Sequence, residues 1–271
     1  MASVLTRLLR HHNANTAWAI VRAGAKRHGI DARALGRIRE MIFAGAGALP
    51  AHPDDPRQKS PMYMHGLTAR PWHDADAFEE LRALRAAAGT IHDEAIRAWA
   101  ERRYHRRRAE RIVVGGWQAC FLRYLGRPMA ENCRFSPVTA DLLERTDEGS
   151  SLGLAYFCAL EPGSRLEPHG SQSNVVLRAQ ITLEASDECM VRVAGSERRC
   201  RAGDCLVFDE SYESEQSNDG SSTRFALAID VWHPDLRPEE IVALDLLSKT
   251  SVHAWRRRRA AARAVRTGEP F

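Results

Sequence analysis

Two hydrophobic rhythms divide the chain. Over residues 1–48 apolar side chains recur at helical spacing: Val4, Leu5, Leu8 and Leu9, then Ala17, Trp18, Ile20 and Val21, then Leu35, Ile38, Met41 and Ile42. His28-Gly29-Ile30-Asp31 interrupts the pattern with a C-cap glycine and an N-cap aspartate, which predicts two antiparallel helices. A second helical stripe, capped by Asp76, runs to about Arg108 through Phe78, Leu81, Leu84, Ile91, Ala95 and Trp99, with a break at Gly89. The rhythm then changes. Apolar runs at 112–125, 154–160, 174–183, 189–193, 205–208 and 224–232 are short, and turn signals separate them: Pro162-Gly163, Ala194-Gly195, Gly203-Asp204 and Asp219-Gly220. Evenly spaced short strands of this kind predict an antiparallel sandwich or barrel. Helical patterns at 137–144, 238–247 and 255–265 complete the chain.

Composition narrows the class without naming a function. Hydrophobic residues make up 44% and charged residues 27%, the balance of an ordinary globular protein. No apolar run reaches the ~20 residues that span a bilayer, and the N-terminus MASVLTRLLRHH does not read as a secretory signal. A cytoplasmic location is the expectation. The six cysteines (120, 133, 158, 189, 200 and 205) form no CxxC pair, which points away from zinc and toward reduced, buried thiols. The net charge is +4, with basic runs at 102–108 and 256–259; no stacking aromatics accompany them, so they read as solvated helix faces and not as a nucleic-acid surface. Residues 49–61 form a proline-rich polar linker.

The chemistry-bearing motifs lie in the strand-rich half. Pro162-Gly163, Pro168-His169 and Asn174 are followed by Gly203-Asp204, Phe208, Ser214 and Asn218, an order that resembles the paired motifs of the cupin or double-stranded β-helix fold. The longer pattern is PGxxxxPH…N…LR, then G…FDESYE…E…N, then R…DxWHP. It resembles the aspartyl/asparaginyl β-hydroxylase family, as do GLTARPWHDADAF at 66–78, Trp117 and ENCRFSPVTADLL at 131–143. The resemblance covers roughly residues 60–236. It implies an iron(II)- and 2-oxoglutarate-dependent dioxygenase that hydroxylates an Asp/Asn-like centre in a small molecule or peptide. The fold class it implies is mainly β with flanking helices (α+β): a double-stranded β-helix core (59–236), an N-terminal helical extension and linker (1–58), and a basic C-terminal helix (237–271).

By the same resemblance His169 matches the first iron-ligating histidine. The second ligand position is occupied by Ser214, and a neutral hydroxyl is a poor iron ligand beside imidazole or carboxylate. Gly170-Ser171 supplies no carboxylate, and Gln180 stands where the family commonly has histidine. Glu213 and Glu215 flank the vacated position. A bulge would swing one of them inward; a regular strand would point both away. Arg224 follows Ser214 at the spacing of the family's 2-oxoglutarate arginine, and a guanidinium grips a carboxylate bidentately. Arg178, read as lying on the His169 strand and facing the same way as Gln180, is either a second ligand arginine or the centre of an internal salt bridge with Glu213 or Asp209. Cys158 completes the implied cofactor-binding set of Arg224, Arg178, Gln180 and Cys158. Asp230 and His233 close the DxWHP motif as supporting groups or a structural strand end. Two readings follow: a dioxygenase with a variant metal site, or a catalytically inactive relative that binds a dicarboxylate or a partner protein in the same cavity. The N-terminal helices are the candidate surface for a homodimer.

Overall fold

The computed structural model describes residues 2–105, 113–145 and 153–250. Its helices are α1 (Ala2–Arg27), α2 (Gly36–Gly45), α3 (Glu79–Ala86), α4 (Ala88–Ala100), α5 (Ala130–Phe135), α6 (Pro137–Arg145) and α7 (Pro238–Thr250). Its strands are β1 (Trp72–His73), β2 (Val113–Val114), β3 (Trp117–Tyr124), β4 (Arg127–Pro128), β5 (Ala155–Leu160), β6 (Ser164–His169), β7 (Val176–Glu184), β8 (Cys189–Val193), β9 (Ser196–Arg199), β10 (Cys205–Phe208), β11 (Ser214–Asn218) and β12 (Arg224–Trp232). The helix expected at 255–265 and the basic run at 256–259 lie outside the described residues, as does part of the run at 102–108.

The strands form two sheets, ordered β1-β10-β7-β12-β5-β3-β4 and β2-β6-β11-β8-β9, with every ladder antiparallel. This is the expected double-stranded β-helix with flanking helices. Side chains on a strand alternate between its two faces, and the larger sheet is covered on both. Phe225, Leu227, Ile229 and Val231 of β12 pack with Leu177, Ala179 and Ile181 of β7 against Leu81, Leu84, Ile91 and Ala95 of α3 and α4. The opposite face turns inward, where Ala226 and Ala228 meet Trp117, Tyr156, Cys158 and Leu166. That inner face carries the polar residues of the site.

Departures from the sequence pattern have local causes. The stripe at 76–108 is two helices, because the backbone leaves helical geometry at Ala87 and not at Gly89. Asp76 caps no helix: Asp74 caps a short 3-10 turn at Ala75–Ala77, its side chain accepting from the Asp76 N–H, and α3 begins after Phe78 without a side-chain cap. Strands β6, β9 and β11 were not marked by apolar runs, since their outward positions are polar and β9 is exposed throughout. The turn before α2 follows expectation: Gly29 has φ of +73° and the Asp31 carboxylate accepts from the Arg33 N–H.

The N-terminal helices pack onto the same chain. Ala14, Val21, Leu35, Ile38 and Met41 share one cluster with Trp232 at the end of β12, with Leu236 beyond it and with Ala243 and Leu244 of α7. Residues 54–64, rich in proline, run across one end of the barrel as a strap. The Lys59 N–H donates to the Ser211 carbonyl, the Met62 N–H to Gln172, and Asn174 exchanges two hydrogen bonds with the Met64 backbone. No helix of the described residues is long and apolar enough to cross a membrane.

Candidate active site at the barrel mouth

His169 ends β6 and Ser214 begins β11, and the two are direct partners in the antiparallel ladder. Sequence positions 45 residues apart thus meet at one rim of the barrel, under the strap. The His169 ring is oriented by Nδ1, which donates to the Glu167 carbonyl at 2.9 Å, leaving Nε2 as the nitrogen able to accept or ligate. Ser214 is buried, its hydroxyl 3.5 Å from the His169 carbonyl. A cleft of about 210 Å³ opens beside them, lined by His169, Gly170, Ser171, Lys59, Pro61 and Glu213.

Neither flanking glutamate joins His169 and Ser214 in a ligand set. The ladder has a bulge, but the extra residue is in β6, because Ser214 pairs with His169 while Gln216 pairs with Leu166. Strand β11 stays in unbroken register with β8, so Ser214, Gln216 and Asn218 face in and Glu215 faces out, where it joins Arg192. Glu213 is 56% exposed and lies 3.6 Å from Lys59 Nζ.

Arg178 is on β7, in the sheet opposite His169, and not on the His169 strand. Each of its three guanidinium nitrogens has a partner. Nε donates to Asp230 Oδ1 at 2.7 Å, Nη2 lies 3.1 Å from Glu210 Oε2, and Nη1 donates to the Tyr156 hydroxyl. The salt-bridge alternative therefore describes Arg178, but with Asp230 and Glu210 in place of Glu213 and Asp209. The reason is register: Asp230 faces Arg178 directly across the β12–β7 ladder. Burial lowers the tendency of Arg178 to hold its proton, and the two carboxylates more than reverse this, so it stays charged. Burial also pushes Asp230 upward from the usual carboxylate range, against the pull of Arg178.

Arg224, at the other end of the inner face, is 1% exposed and has no carboxylate partner among the described residues. Nη1 donates to Gln216 Oε1 at 2.9 Å and Nη2 to Gln180 Oε1 at 2.8 Å, while Nε is buried with no hydrogen-bond partner. Gln180, in the position of a family histidine, thus serves as an acceptor for this guanidinium. Cys158 lies on the same face of β5 and donates weakly to the Ala226 carbonyl at 3.5 Å; burial raises its thiol pKa, countered by Arg224. Desolvating a guanidinium without an anion is costly, and amide oxygens return only part of that cost.

Sequence reasoning missed Tyr156 and Glu210 as members of the Arg178 cluster. Their signals were present but weak: Tyr156 is an aromatic on an inward strand position, and Glu210 sits within the FDESYE motif beside the conspicuous Glu213. Asp209 is a third buried carboxylate near the rim. Burial pushes it up to about 6, although Ser211 and Gln58 donate to it. Asn174 and Asn218 hold loop and strand ends through backbone hydrogen bonds.

With this geometry in view, the comparisons with known proteins are informative. A family model described as aspartyl/asparaginyl beta-hydroxylase matches residues 78–234, more than half of the chain. The chain belongs to the aspartyl/asparaginyl β-hydroxylase family. The mouse and human proteins called aspartyl/asparaginyl beta-hydroxylase are each 30% identical to it over 191 residues, which is 68% of this chain. Human aspartate beta-hydroxylase domain-containing protein 2 is 33% identical over 140 residues, or 49% of this chain and 38% of that protein. The chain spans about a quarter of the mouse and human β-hydroxylases, 26% and 25% of their lengths.

Membership implies iron, and the residues present do not fit it. Iron in such sites needs imidazole or carboxylate donors arranged on one face. His169 offers one nitrogen, Ser214 a neutral hydroxyl, Glu213 is exposed and paired with Lys59, and Glu215 faces out to Arg192. Among the described residues no group of three His, Cys, Asp or Glu side chains is placed to hold a metal ion.

Proposed function

We propose that this β-hydroxylase-family barrel binds a small carboxylate ligand of the 2-oxoglutarate kind through Arg224, and that its own residues do not complete an iron centre. The observation that carries this reading is the buried Arg224 guanidinium, held only by the amide oxygens of Gln216 and Gln180 and with Nε unpartnered. An incoming carboxylate would supply the missing anion and a bidentate partner, a charge-assisted contact about twice as strong as a neutral one. Cys158 and Gln180 line the same inner face and shape the space around that carboxylate. The strap over residues 54–64 would exclude water from the bound ligand.

The test is binding of 2-oxoglutarate to metal-free protein, followed by calorimetry and by thermal stabilisation, in wild type and Arg224→Gln. Stabilisation by wild type and its loss in a variant that remains folded by circular dichroism are expected. Equal stabilisation of both proteins would remove Arg224 from the role. A second reading, a working hydroxylase, draws support from the retained pairing of His169 with position 214 at the rim and from the family match. Anaerobic Fe(II) titration separates the two. Tight iron binding by wild type, with succinate released on admitting oxygen, would favour the hydroxylase.

A further inference from the structure

The inner face is electrically lopsided. At one end Arg224 is a cation without an anion among the described residues. At the other, two carboxylates, Asp230 and Glu210, share the one guanidinium of Arg178. Each nitrogen of the Arg178 guanidinium has a partner: Nε in Asp230, Nη2 in Glu210 and Nη1 in Tyr156. The two ends are close: Gln180, which accepts from Arg224, is two residues along β7 from Arg178, about 7 Å at the rise of a strand. Glu210 lies toward the rim, its backbone carbonyl accepting from the Ser171 N–H next to Gly170. Asp209, the neighbouring buried carboxylate, adds to the acid at that end.

A dicarboxylate seated on Arg224 would therefore direct its second carboxylate toward an end where acid outnumbers base. In a family site with iron, the metal's positive charge could offset such a ligand. The residues here do not provide that metal site, and the one charge of Arg178 is already shared between Asp230 and Glu210. From this juxtaposition we propose that the metal-free barrel prefers a zwitterionic ligand, with its carboxylate on Arg224 and an ammonium group facing the Asp230–Glu210 carboxylates. The ligand class is then an amino acid with separated charged ends, in preference to a dicarboxylic acid. This rests on the carboxylate-binding role of Arg224 argued above.

Two compounds of matched length test it: glutarate, with two carboxylates, and 5-aminopentanoate, in which an ammonium group replaces one of them. Each is titrated calorimetrically into the full-length, metal-free protein at neutral pH. We expect 5-aminopentanoate to bind at least tenfold more tightly than glutarate. Glu210→Gln, which keeps the side-chain volume and removes one charge, should reduce that ratio to threefold or less. Arg224→Gln should weaken both ligands together. Glutarate binding as tightly as 5-aminopentanoate, or more tightly, would overturn the proposal while leaving the carboxylate role of Arg224 intact. A ratio unchanged in folded Glu210→Gln would also overturn it, since the selectivity would then arise elsewhere. If neither compound, nor 2-oxoglutarate, binds wild type, both this inference and the reading beneath it fail.

Discussion

Glu240 offers a stringent check on how the helical layer is fastened to the barrel. Its carboxylate is fully buried at the start of α7 and receives Arg37 Nε at 2.9 Å, Arg37 Nη2 at 2.6 Å, Arg237 Nη2 at 2.7 Å and the Arg237 N–H at 3.0 Å. Arg37 in turn donates to the carbonyls of His65, Gly66 and Asp235, so one carboxylate organises α2, α7 and both flanking loops. Burial alone would raise the Glu240 pKa; the donors from Arg37 and Arg237 outweigh it and lower it from 4.5 to about 2. A shift of that size corresponds to roughly 3 kcal/mol at 1.36 kcal/mol per unit. Because Arg37 and Arg237 are 24% and 47% exposed, solvent screens part of it, and about 2 kcal/mol is the expected contribution. The folded-state pKa is depressed, so this stability is present above about pH 4.5 and disappears as the pH falls toward 2. Glu240→Gln should therefore lose about 2 kcal/mol in urea unfolding at pH 7, or roughly 4–8 °C in Tm, and the gap to wild type should narrow progressively below pH 4.5. A loss under ~0.5 kcal/mol at pH 7, the range of an ordinary surface substitution, would refute the clasp. A gap that does not change down to pH 3 would refute its electrostatic origin.

Two further predictions concern the buried polar groups. Ser214→His should tighten Fe(II) binding at least tenfold, about 1.4 kcal/mol, measured by anaerobic titration, while the larger side chain at a buried site costs about 1–3 kcal/mol of folding stability; unchanged iron affinity in a folded variant would show that position 214 is not what limits metal binding. His73 is 4% exposed, and among the described residues its buried ring nitrogens have no well-formed hydrogen bond, the Arg70 backbone being the polar group beside them. Burial, with His233 next in effect, lowers its pKa to about 4, so the native state rejects a proton that the unfolded chain accepts, and His73 lowers stability as the pH falls from about 6.5 to 4. His73→Phe should raise stability by about 1 kcal/mol at pH 7 and by more at pH 5, as read by thermal unfolding; a destabilised variant would mean that His73 has a partner in solution.

The sequence was most legible where burial imposed a rhythm. Strands β5, β7, β8, β10 and β12 are apolar enough to mark themselves, and the signals at Gly29 and Asp31 sit at the turn they predict. Strands β6 and β11, which carry His169 and Ser214, were legible through motif spacing alone, because a sheet with one solvated face does not need continuous apolar runs. The pairing of Arg178 was the harder problem. Its partners are fixed by the β12–β7 register and by the course of the chain after β10, and neither follows from the periodicity of one strand. The orientation of Glu215 turned on which of two strands holds an extra residue, a choice one residue wide. Arg224 was the easiest to single out, since its distance from position 214 depends only on β11, one turn and the start of β12.

The strap has a kinetic consequence. It is fastened at both margins of the rim, by Gln58 to Asp209 and Ser211 and by Met64 to Asn174, with Lys59, Ser60 and Met62 bonded between them. Lys59 and Pro61 line the cleft beside His169, so a molecule entering there would pass the strap, and displacing the strap would break several hydrogen bonds together. Exchange by that route would be timed by the opening of the strap. Ligands of very different affinity would then share one slow association rate and differ in how long they stay, and loosening the strap at Gln58 would speed arrival and departure alike without changing which molecule is preferred.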